Sequence, residues 1–245
     1  MPKTKKGKNI KLDILAFGPH PDDVEFGCGG LLIKAKNQGL TSGIIDMSLA
    51  ELSTNGTVAQ RIKEAEEARK VLGAKYRENL KLPNNFFSNT KEAQDKVIRV
   101  IRKYRPEIVL IPYYFDRHPD HENAAKIIRD SLFTSGLIQY KTGQNPHRPN
   151  RVLFYMLWYE FAPSLILDIS DEWDAKMNAL LAYRSQFKRG KGKRETIDND
   201  LNTMKFIDAR GRNYGFMINR TYGEPYLSIK PLGVESPLNF LPNFF

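Results

Sequence analysis

The sequence of 245 residues contains a single cysteine, Cys28, and only four histidines. A lone cysteine excludes an intrachain disulfide, so nothing points to an oxidising compartment. The chain also lacks an apolar run of the roughly 20 residues that a membrane span requires. The short apolar run near its N-terminus is too interrupted for a signal peptide. We therefore expect a protein of the cytoplasm that has no membrane partner.

The net charge of +10 comes from two short stretches. Residues 1–11 contain five lysines, residues 188–194 contain five basic side chains, and neither stretch contains an acid. Taking these ten from the 38 basic residues leaves 28, which equals the 28 acidic residues. Such charged runs are usually solvated. No basic stripe interleaved with aromatic residues accompanies them, so we predict no nucleic-acid binding. The run at 188–194 could still attract an anionic substrate.

Apolar, strand-like segments alternate along the chain with helix-like segments. We predict strands at 12–17, 42–48, 107–112, 151–157 and 164–169, and helices at 24–38, 58–72, 90–104, 119–133, 171–187 and 196–214. Such alternation predicts an α/β fold: a Rossmann-like three-layer arrangement with a mostly parallel sheet flanked by helices. We expect a basic, disordered tail over residues 1–10 and a single domain over residues 11–245.

Three of the four histidines lie in two similar segments, and each segment directly follows an apolar strand. The segments are His20-Pro21-Asp22-Asp23 and His118-Pro119-Asp120-His121. Open α/β sheets place their ligand crevice at the carboxyl ends of the strands, so we expect both segments there. Two imidazoles and a carboxylate suit a borderline cation such as zinc. The fourth histidine, His147, is interpreted as an ordinary loop residue.

The side chains left over in these segments can supply acid–base chemistry. Asp22 and Asp23 are adjacent, so one can bind the metal while the other faces the attacking water. His118 and His121 lie three residues apart at the start of a helix, and one of them can stand beside the reacting carbonyl. Asp120 is close enough to hold the ring of His118 and raise its basicity. A metal with an open position lowers the pKa of bound water to about 7, which predicts a metal-dependent hydrolase.

The first segment, followed by Val24, Glu25 and the Gly29-Gly30 pair, resembles the opening signature of the PIG-L-like zinc N-acetylglucosamine deacetylases. The second segment resembles the second metal segment of that family. The two motifs are separate, and the resemblance extends over nearly the whole chain. It implies that the protein removes the acetyl group from an N-acetylglucosaminyl conjugate.

The resemblance also implies a role for each matching side chain. The implied metal ligands are His20, Asp23 and His121. They would hold one Zn²⁺ per chain, with Fe²⁺ or another divalent metal as the alternative. The implied general base is Asp22. A protonated His118, with Asp120 as its partner, is implied to assist the oxyanion and the leaving group.

Finer features resemble one branch of the family, the deacetylases of bacillithiol biosynthesis, which act on N-acetylglucosaminyl-malate. They lie at residues 50–57, 112–118, 146–148 and 185–187. A malyl group carries two carboxylates, which arginines can bind in bidentate geometry. The expected partner is therefore a small anionic glycoside. The candidate substrate-binding residues are Glu51, Arg61, Arg117 and Arg148, and Tyr214 and Tyr222 are candidates for a tyrosine that some relatives place near the oxyanion.

Several alternatives stay open. The substrate could be another N-acetylated amino sugar, such as a mycothiol precursor, a glycoconjugate or a chitooligosaccharide, and a non-catalytic sugar-binding protein is a more distant alternative. The oligomeric state is also open, with a homo-oligomer as one option.

Residues 27–30 lack the spacing of a dinucleotide fingerprint or a P-loop, so we interpret their glycines as sites of close packing between helix and strand. A facial-triad iron site would match the histidine pattern, but such enzymes usually have a β-barrel rather than alternating strands and helices.

Overall fold

The computed structural model describes residues 10–231 and residue 233. The expected tail over residues 1–10 lies almost entirely outside this part of the chain. The strands are β1 (Ile14–Gly18), β2 (Ser42–Ser48), β3 (Tyr76–Leu82), β4 (Ile108–Pro112), β5 (Arg151–Tyr155), β6 (Leu165–Asp168) and β7 (Gly223–Leu227). They form one seven-stranded sheet in the order β3-β2-β1-β4-β5-β7-β6.

The helices are α1 (Asp23–Asn37), α2 (Val58–Leu72), α3 (Lys91–Tyr104), α4 (Pro119–Ser135), α5 (Trp173–Leu181), α6 (Arg184–Phe187) and α7 (Leu201–Met217). Strands β3, β2, β1, β4 and β5 pair in parallel, while β7 runs antiparallel between β5 and β6. The predicted α/β fold with a mostly parallel sheet is confirmed. Within the described part of the chain, no helix has the length and apolar character needed to span a membrane.

Alternation along β1 separates two hydrophobic cores, one on each face of the sheet. Ile14 and Ala16 belong to the core that includes side chains of α1 and α5. Leu15 and Phe17 belong to the core that includes side chains of α3 and α4. The side chains of a strand point alternately to opposite faces, so a central strand that is apolar throughout is buried on both sides. The result is the three-layer arrangement expected from the sequence.

Two strands were not predicted from the sequence, and both carry polar or turn-forming residues. The edge strand β3 contains Arg77, whose guanidinium bonds to Asp46 on β2 at 2.7 Å, so its charge is neutralised inside the protein. Strand β7 contains Gly223 and Pro225, residue types that predict a turn rather than a strand when only the sequence is considered. The helix predicted at 171–187 is in fact two helices, α5 and α6, and α7 begins five residues later than predicted.

The glycines near the start of α1 permit close packing of the helix on the sheet, as the sequence indicated. A Cβ atom on Gly27 would lie 2.2 Å from Cδ2 of Tyr155, and one on Gly30 would lie 2.7 Å from Cγ2 of Ile169. Between these glycines, Cys28 is buried and leaves the helical conformation, with φ −142°. These residues therefore serve packing rather than phosphate binding.

Candidate metal centre

The two histidine segments meet because they follow neighbouring parallel strands, β1 and β4. The first segment forms the turn into α1, in which Asp22 has a positive φ of 112°. The second segment opens α4, where His118 is the N-cap residue and its Nδ1 accepts a hydrogen bond from the backbone N–H of Asp120 at 3.1 Å. A ring nitrogen in the N-cap position satisfies one of the free N–H groups at the helix start, and so fixes the His118 ring.

The structure brings the three predicted metal ligands together. One donor atom each from His20, Asp23 and His121 lies within 4.8 Å of the others, and all three residues are buried. Nε2 of His121 is 3.5 Å from Oδ1 of Asp23, and Nδ1 of His20 is 3.2 Å from Oδ2 of the same carboxylate. Two imidazoles and a carboxylate at such separations fit a divalent metal with an open coordination position.

Each histidine of this set is held by an aspartate on its other ring nitrogen. Oδ1 of Asp116 lies 2.9 Å from Nδ1 of His121, and Oδ2 of Asp120 lies 3.1 Å from Nε2 of His20. When each aspartate accepts an N–H from its ring, the second nitrogen of the ring is left with a lone pair for a metal. This is the usual arrangement around metal-binding histidines, and it supports the fit of the residues to a metal ion.

The expected contact between the carboxylate of Asp120 and the ring of His118 is not the one that forms. Oδ2 of Asp120 accepts hydrogen bonds from Nε2 of His20, from Nδ2 of Asn84 at 3.1 Å and from the N–H of Asn85 at 2.6 Å. His20, His118 and Asp120 form a second group of possible ligands, whose donor atoms also lie within 4.8 Å of one another. Because the Asp120 carboxylate is already occupied by these donors, the set with Asp23 is the better metal site.

The surroundings of His118 oppose the protonation that was expected for it. Burial and the nearby charges of His20 and His121 lower the pKa of His118 to about 4. The ring is therefore neutral near pH 7. Because its Nδ1 accepts a backbone hydrogen bond, the single proton lies on Nε2. His118 can thus donate a hydrogen bond as a neutral imidazole, as a histidine does in some enzymes that polarise a carbonyl.

Asp22 lies beside the ligands but is paired with an arginine. Its Oδ2 is 3.3 Å from Nη2 of Arg61, which also donates to the carbonyl oxygen of Pro21 at 2.6 Å. Burial raises the pKa of Asp22 well above its usual range; Arg61 lowers it in part, and the charge of Asp23 raises it further. A carboxylate with a raised pKa is suited to accepting a proton near neutral pH.

These residues open onto a cavity of about 390 Å³. Of the predicted substrate-binding residues, Arg61 and Arg117 line it. Arg148 does not: its guanidinium stacks on Phe133 and donates to the carbonyl oxygen of that residue at 2.9 Å. Glu51 does not line the cavity either, because its Oε1 accepts the N–H of Asn84 at 2.8 Å. The structure therefore places Arg148 and Glu51 outside the cavity wall, and Glu51 is connected to it through Asn84.

The two tyrosine candidates lie away from the cavity as well. The hydroxyl of Tyr214 faces the sulfur of Met156 at 3.7 Å. The ring of Tyr222 stacks on Trp173, and its hydroxyl donates to Asp208 at 2.8 Å. Neither residue lines the cavity in the described part of the chain, so neither is placed to assist an oxyanion.

The residues of the site that were missed from the sequence include Asn84, Asp116, Trp158 and Asp198. Asp116 is two residues before the second histidine segment, and this proximity was an available signal. Trp158 lies in the cavity wall, and the guanidinium of Arg117 lies 4.4 Å above its ring. Trp158 and Asp198 come from distant parts of the chain and belong to no motif, so no sequence pattern indicated them.

Comparisons with known proteins identify the relatives of this chain. A family model described as PIG-L, GlcNAc-PI de-N-acetylase, matches residues 15–132. The chain is 31% identical over 189 residues to a diacetylchitobiose deacetylase of Thermococcus kodakarensis, covering 71% of this chain and 70% of that protein. The crystal structure of the conserved protein TT1542 from Thermus thermophilus has a TM-score of 0.84 and 36% identity, covering 92% of this chain and 98% of that one. The N,N'-diacetylchitobiose deacetylase from Pyrococcus horikoshii shares the fold, with a TM-score of 0.75 and 24% identity over 87% of this chain and 82% of that one.

Proposed function

Because this chain belongs to the PIG-L family of de-N-acetylases, we propose that it hydrolyses the acetamide of an N-acetylglucosaminyl conjugate. The observation that carries the proposal is the set of His20, Asp23 and His121, which lines a cavity together with Asp22. A cavity of about 390 Å³ is within the range of small-molecule sites and accommodates a sugar with a small substituent.

We propose zinc as the metal of this site. The donor set of two imidazoles and one carboxylate is typical of catalytic zinc, although it also accepts other divalent ions. When bound, the ion would polarise the amide carbonyl and lower the pKa of the attacking water. His20, Asp23 and His121 would hold it, and Asp120 and Asp116 would orient the two imidazole rings.

The remaining residues of the site carry the proton transfers. Asp22 accepts a proton from the water that attacks the acetyl carbon, and Arg61 fixes the position of that carboxylate. The Nε2–H of His118 donates a hydrogen bond to the carbonyl oxygen as negative charge develops there, a contribution that is often large in acyl transfer. The proton on Asp22 then passes to the sugar nitrogen as the C–N bond breaks, and acetate and a free amine are released.

N-acetylglucosaminyl-malate, the substrate used in bacillithiol biosynthesis, is the first candidate substrate. It is supported by the motif context of residues 50–57 and 112–118 and by Arg117, whose guanidinium lines the cavity. Arg61 is engaged by Asp22, and Arg148 lies elsewhere. Arg117 is therefore the arginine that we assign to a malyl carboxylate.

A chitooligosaccharide such as N,N'-diacetylchitobiose is the second candidate. The ring of Trp158 lies in the cavity wall, with Phe26 at a centroid distance of 5.3 Å, and aromatic faces pack well against the C–H faces of a second sugar. The similarity to the Thermococcus kodakarensis diacetylchitobiose deacetylase supports the same candidate.

The proposal is tested by incubating the zinc-loaded protein with N-acetylglucosaminyl-malate, N,N'-diacetylchitobiose and plain N-acetylglucosamine, and by measuring the amine released. We expect at least one conjugate to be deacetylated well above the rate of an Asp22→Asn control. Preference for the malyl compound selects the first candidate, and preference for the disaccharide selects the second. Amine release at the level of the control for all three compounds would contradict the proposed function.

A further inference from the structure

One wall of the cavity is formed by residues 194–199, a segment that precedes α7 and contributes Thr196 and Asp198. The segment is held in place by two buried asparagines. Nδ2 of Asn55 donates to the carbonyl oxygen of Arg194 at 2.9 Å, and Oδ1 of Asn55 accepts the N–H of Arg194 at 3.0 Å. Asn199 bonds to the same carbonyl oxygen at 2.9 Å and accepts the N–H of Thr196 at 2.9 Å. These hydrogen bonds therefore fix the position of the segment relative to the rest of the cavity.

Asp198 is the carboxylate that this wall contributes to the cavity. Burial raises its pKa, and the cavity arginines Arg61 and Arg117 partly offset that effect through their charges. Among the described residues, no side chain or backbone group donates a hydrogen bond to it, in contrast to Asp116 and Asp120, which accept several each. Asp198 thus offers open acceptor positions to whatever occupies the cavity.

An ionised carboxylate can only accept hydrogen bonds, and a carboxylate left without donors in a restricted space is costly. A sugar hydroxyl is a donor that satisfies it. A carboxylate on a ligand would instead be repelled. Such a ligand carboxylate would find a cation instead at Arg117, which lines the same cavity and lies 4.4 Å above the ring of Trp158.

We propose that Asp198 accepts a hydrogen bond from a ring hydroxyl of the N-acetylated sugar and determines which sugars the cavity accepts. The inference rests on the proposed function, since it names the contact that recognises the sugar of that reaction. It assigns Asp198 to binding rather than to proton transfer, because the proton-accepting carboxylate is Asp22. Any anionic group of the substrate must then lie away from Asp198, towards Arg117.

The experiment compares the zinc-loaded wild-type protein with Asp198→Ala, Asp198→Asn and the matched control Glu195→Gln. Glu195 lies in the same segment and has the same charge, but it is exposed and pairs with Arg189 outside the cavity. We measure the Kd of N-acetylglucosamine by ligand-observed NMR and the KM and kcat of deacetylation, with the 3-deoxy, 4-deoxy and 6-deoxy sugars as analogues. Circular dichroism checks that each variant is folded.

We expect Asp198→Ala to raise Kd and KM about ten- to a hundred-fold with little change in kcat, because a hydrogen bond to a charged acceptor is lost. Asp198→Asn, which keeps an acceptor oxygen, should lie in between, and Glu195→Gln should match the wild type. The deoxy sugar that lacks the contacting hydroxyl should bind the wild type as weakly as N-acetylglucosamine binds Asp198→Ala. Its Kd should be the same for the wild type and for Asp198→Ala.

If wild type and Asp198→Ala bind the sugar equally, or if every deoxy sugar loses as much affinity in the variant as the full sugar does, Asp198 makes no such contact and the inference is overturned. The proposed function would survive that result as long as the wild type releases amine. If the wild type releases none, the proposed function fails, and the NMR affinities still decide the role of Asp198. Absence of N-acetylglucosamine binding to the wild type would overturn the inference, while the amine-release assay would still decide the proposed function.

Discussion

Oδ1 of Asp116 lies 2.9 Å from Nδ1 of His121, and through this contact a buried carboxylate holds a metal ligand. The other oxygen of Asp116 accepts the backbone N–H of Trp158, also at 2.9 Å. Burial would raise the pKa of Asp116, but these hydrogen bonds outweigh that effect and lower it. One side chain therefore links the metal site to the aromatic wall of the cavity.

Replacing Asp116 should weaken metal binding and substrate binding together. An Asp116→Asn variant keeps the shape but removes the charge that orients the His121 ring, and loss of such a partner typically costs about ten- to a hundred-fold in metal affinity. Competition with a chelator measures this change. Asp208→Asn is a suitable control because Asp208 lies on the surface and pairs with Arg212. Unchanged metal affinity in Asp116→Asn would show that His121 is positioned without it.

Single alanine variants distinguish the two possible ligand sets. We expect His121→Ala and Asp23→Ala to abolish tight zinc binding, because each removes one of three protein ligands. His118→Ala should retain the metal, since His118 belongs only to the set in which Asp120 is already occupied by other donors. Metal content after dialysis gives the answer directly. Loss of zinc from His118→Ala with retention in Asp23→Ala would reverse the assignment.

Asp22→Asn separates proton transfer from metal binding. Asp22 is not one of the ligands, so the variant should hold zinc as the wild type does. Turnover should fall by about 10²–10⁴-fold, the usual effect of losing a general base. Metal content and the rate of amine release are measured on the same preparation. A zinc-loaded variant with near-normal turnover would assign the proton transfer to another group, with His118 as the nearest candidate.

The central strands and the metal ligands could be predicted because their signals are local. β1 and β4 are apolar runs buried on both faces, and each is followed after a short loop by a histidine segment. The edge strand β3 could not be predicted in this way, because Arg77 is buried through a partner, Asp46, that is distant in sequence. From the sequence alone, a charged residue at such a position favours a loop.

The residues of the cavity wall also differ in whether a local sequence signal could predict them. Arg148 was predicted from its motif context, but the fold places it against Phe133 at the end of α4. Trp158 and Asp198 reach the site from the segments after β5 and before α7, and a single tryptophan or aspartate carries no periodic signal. The candidate metal ligands could therefore be predicted from residues adjacent in sequence. The residues of the cavity wall could not, because the tertiary fold brings them together from distant parts of the chain.

The close approach of α1 to the sheet predicts a sensitive position. Gly27→Ala would place a Cβ atom 2.2 Å from the buried ring of Tyr155, so the helix or the strand must move. Overpacking of this kind typically lowers the free energy of unfolding by about 1–3 kcal/mol. Gly190→Ala is the matched control, because nothing lies within 4 Å of the added methyl group. Urea denaturation measures both, and equal stability would contradict the tight packing.

Arg61 and Arg117 both line the cavity, but the structure predicts different effects for their removal. Arg61 is paired with Asp22, so Arg61→Ala should slow deacetylation of every N-acetylated substrate by a similar factor. Arg117 stacks on Trp158 and is not paired with Asp22, so Arg117→Ala should affect N-acetylglucosaminyl-malate selectively. The expected loss in kcat/KM is about ten- to a hundred-fold, the contribution of a charged hydrogen bond. N-acetylglucosamine and N,N'-diacetylchitobiose, which lack the carboxylates, should change much less.

Arg117→Lys provides the matched control, because it retains the charge but loses the planar fork that binds a carboxylate in bidentate geometry. We expect it to recover part of the preference for the malyl compound. Equal losses for the malyl compound and the disaccharide in Arg117→Ala would remove the physical support for a malyl substrate. In that case contacts with the ring of Trp158, rather than the charge of Arg117, would select the substrate by the substituent on its sugar.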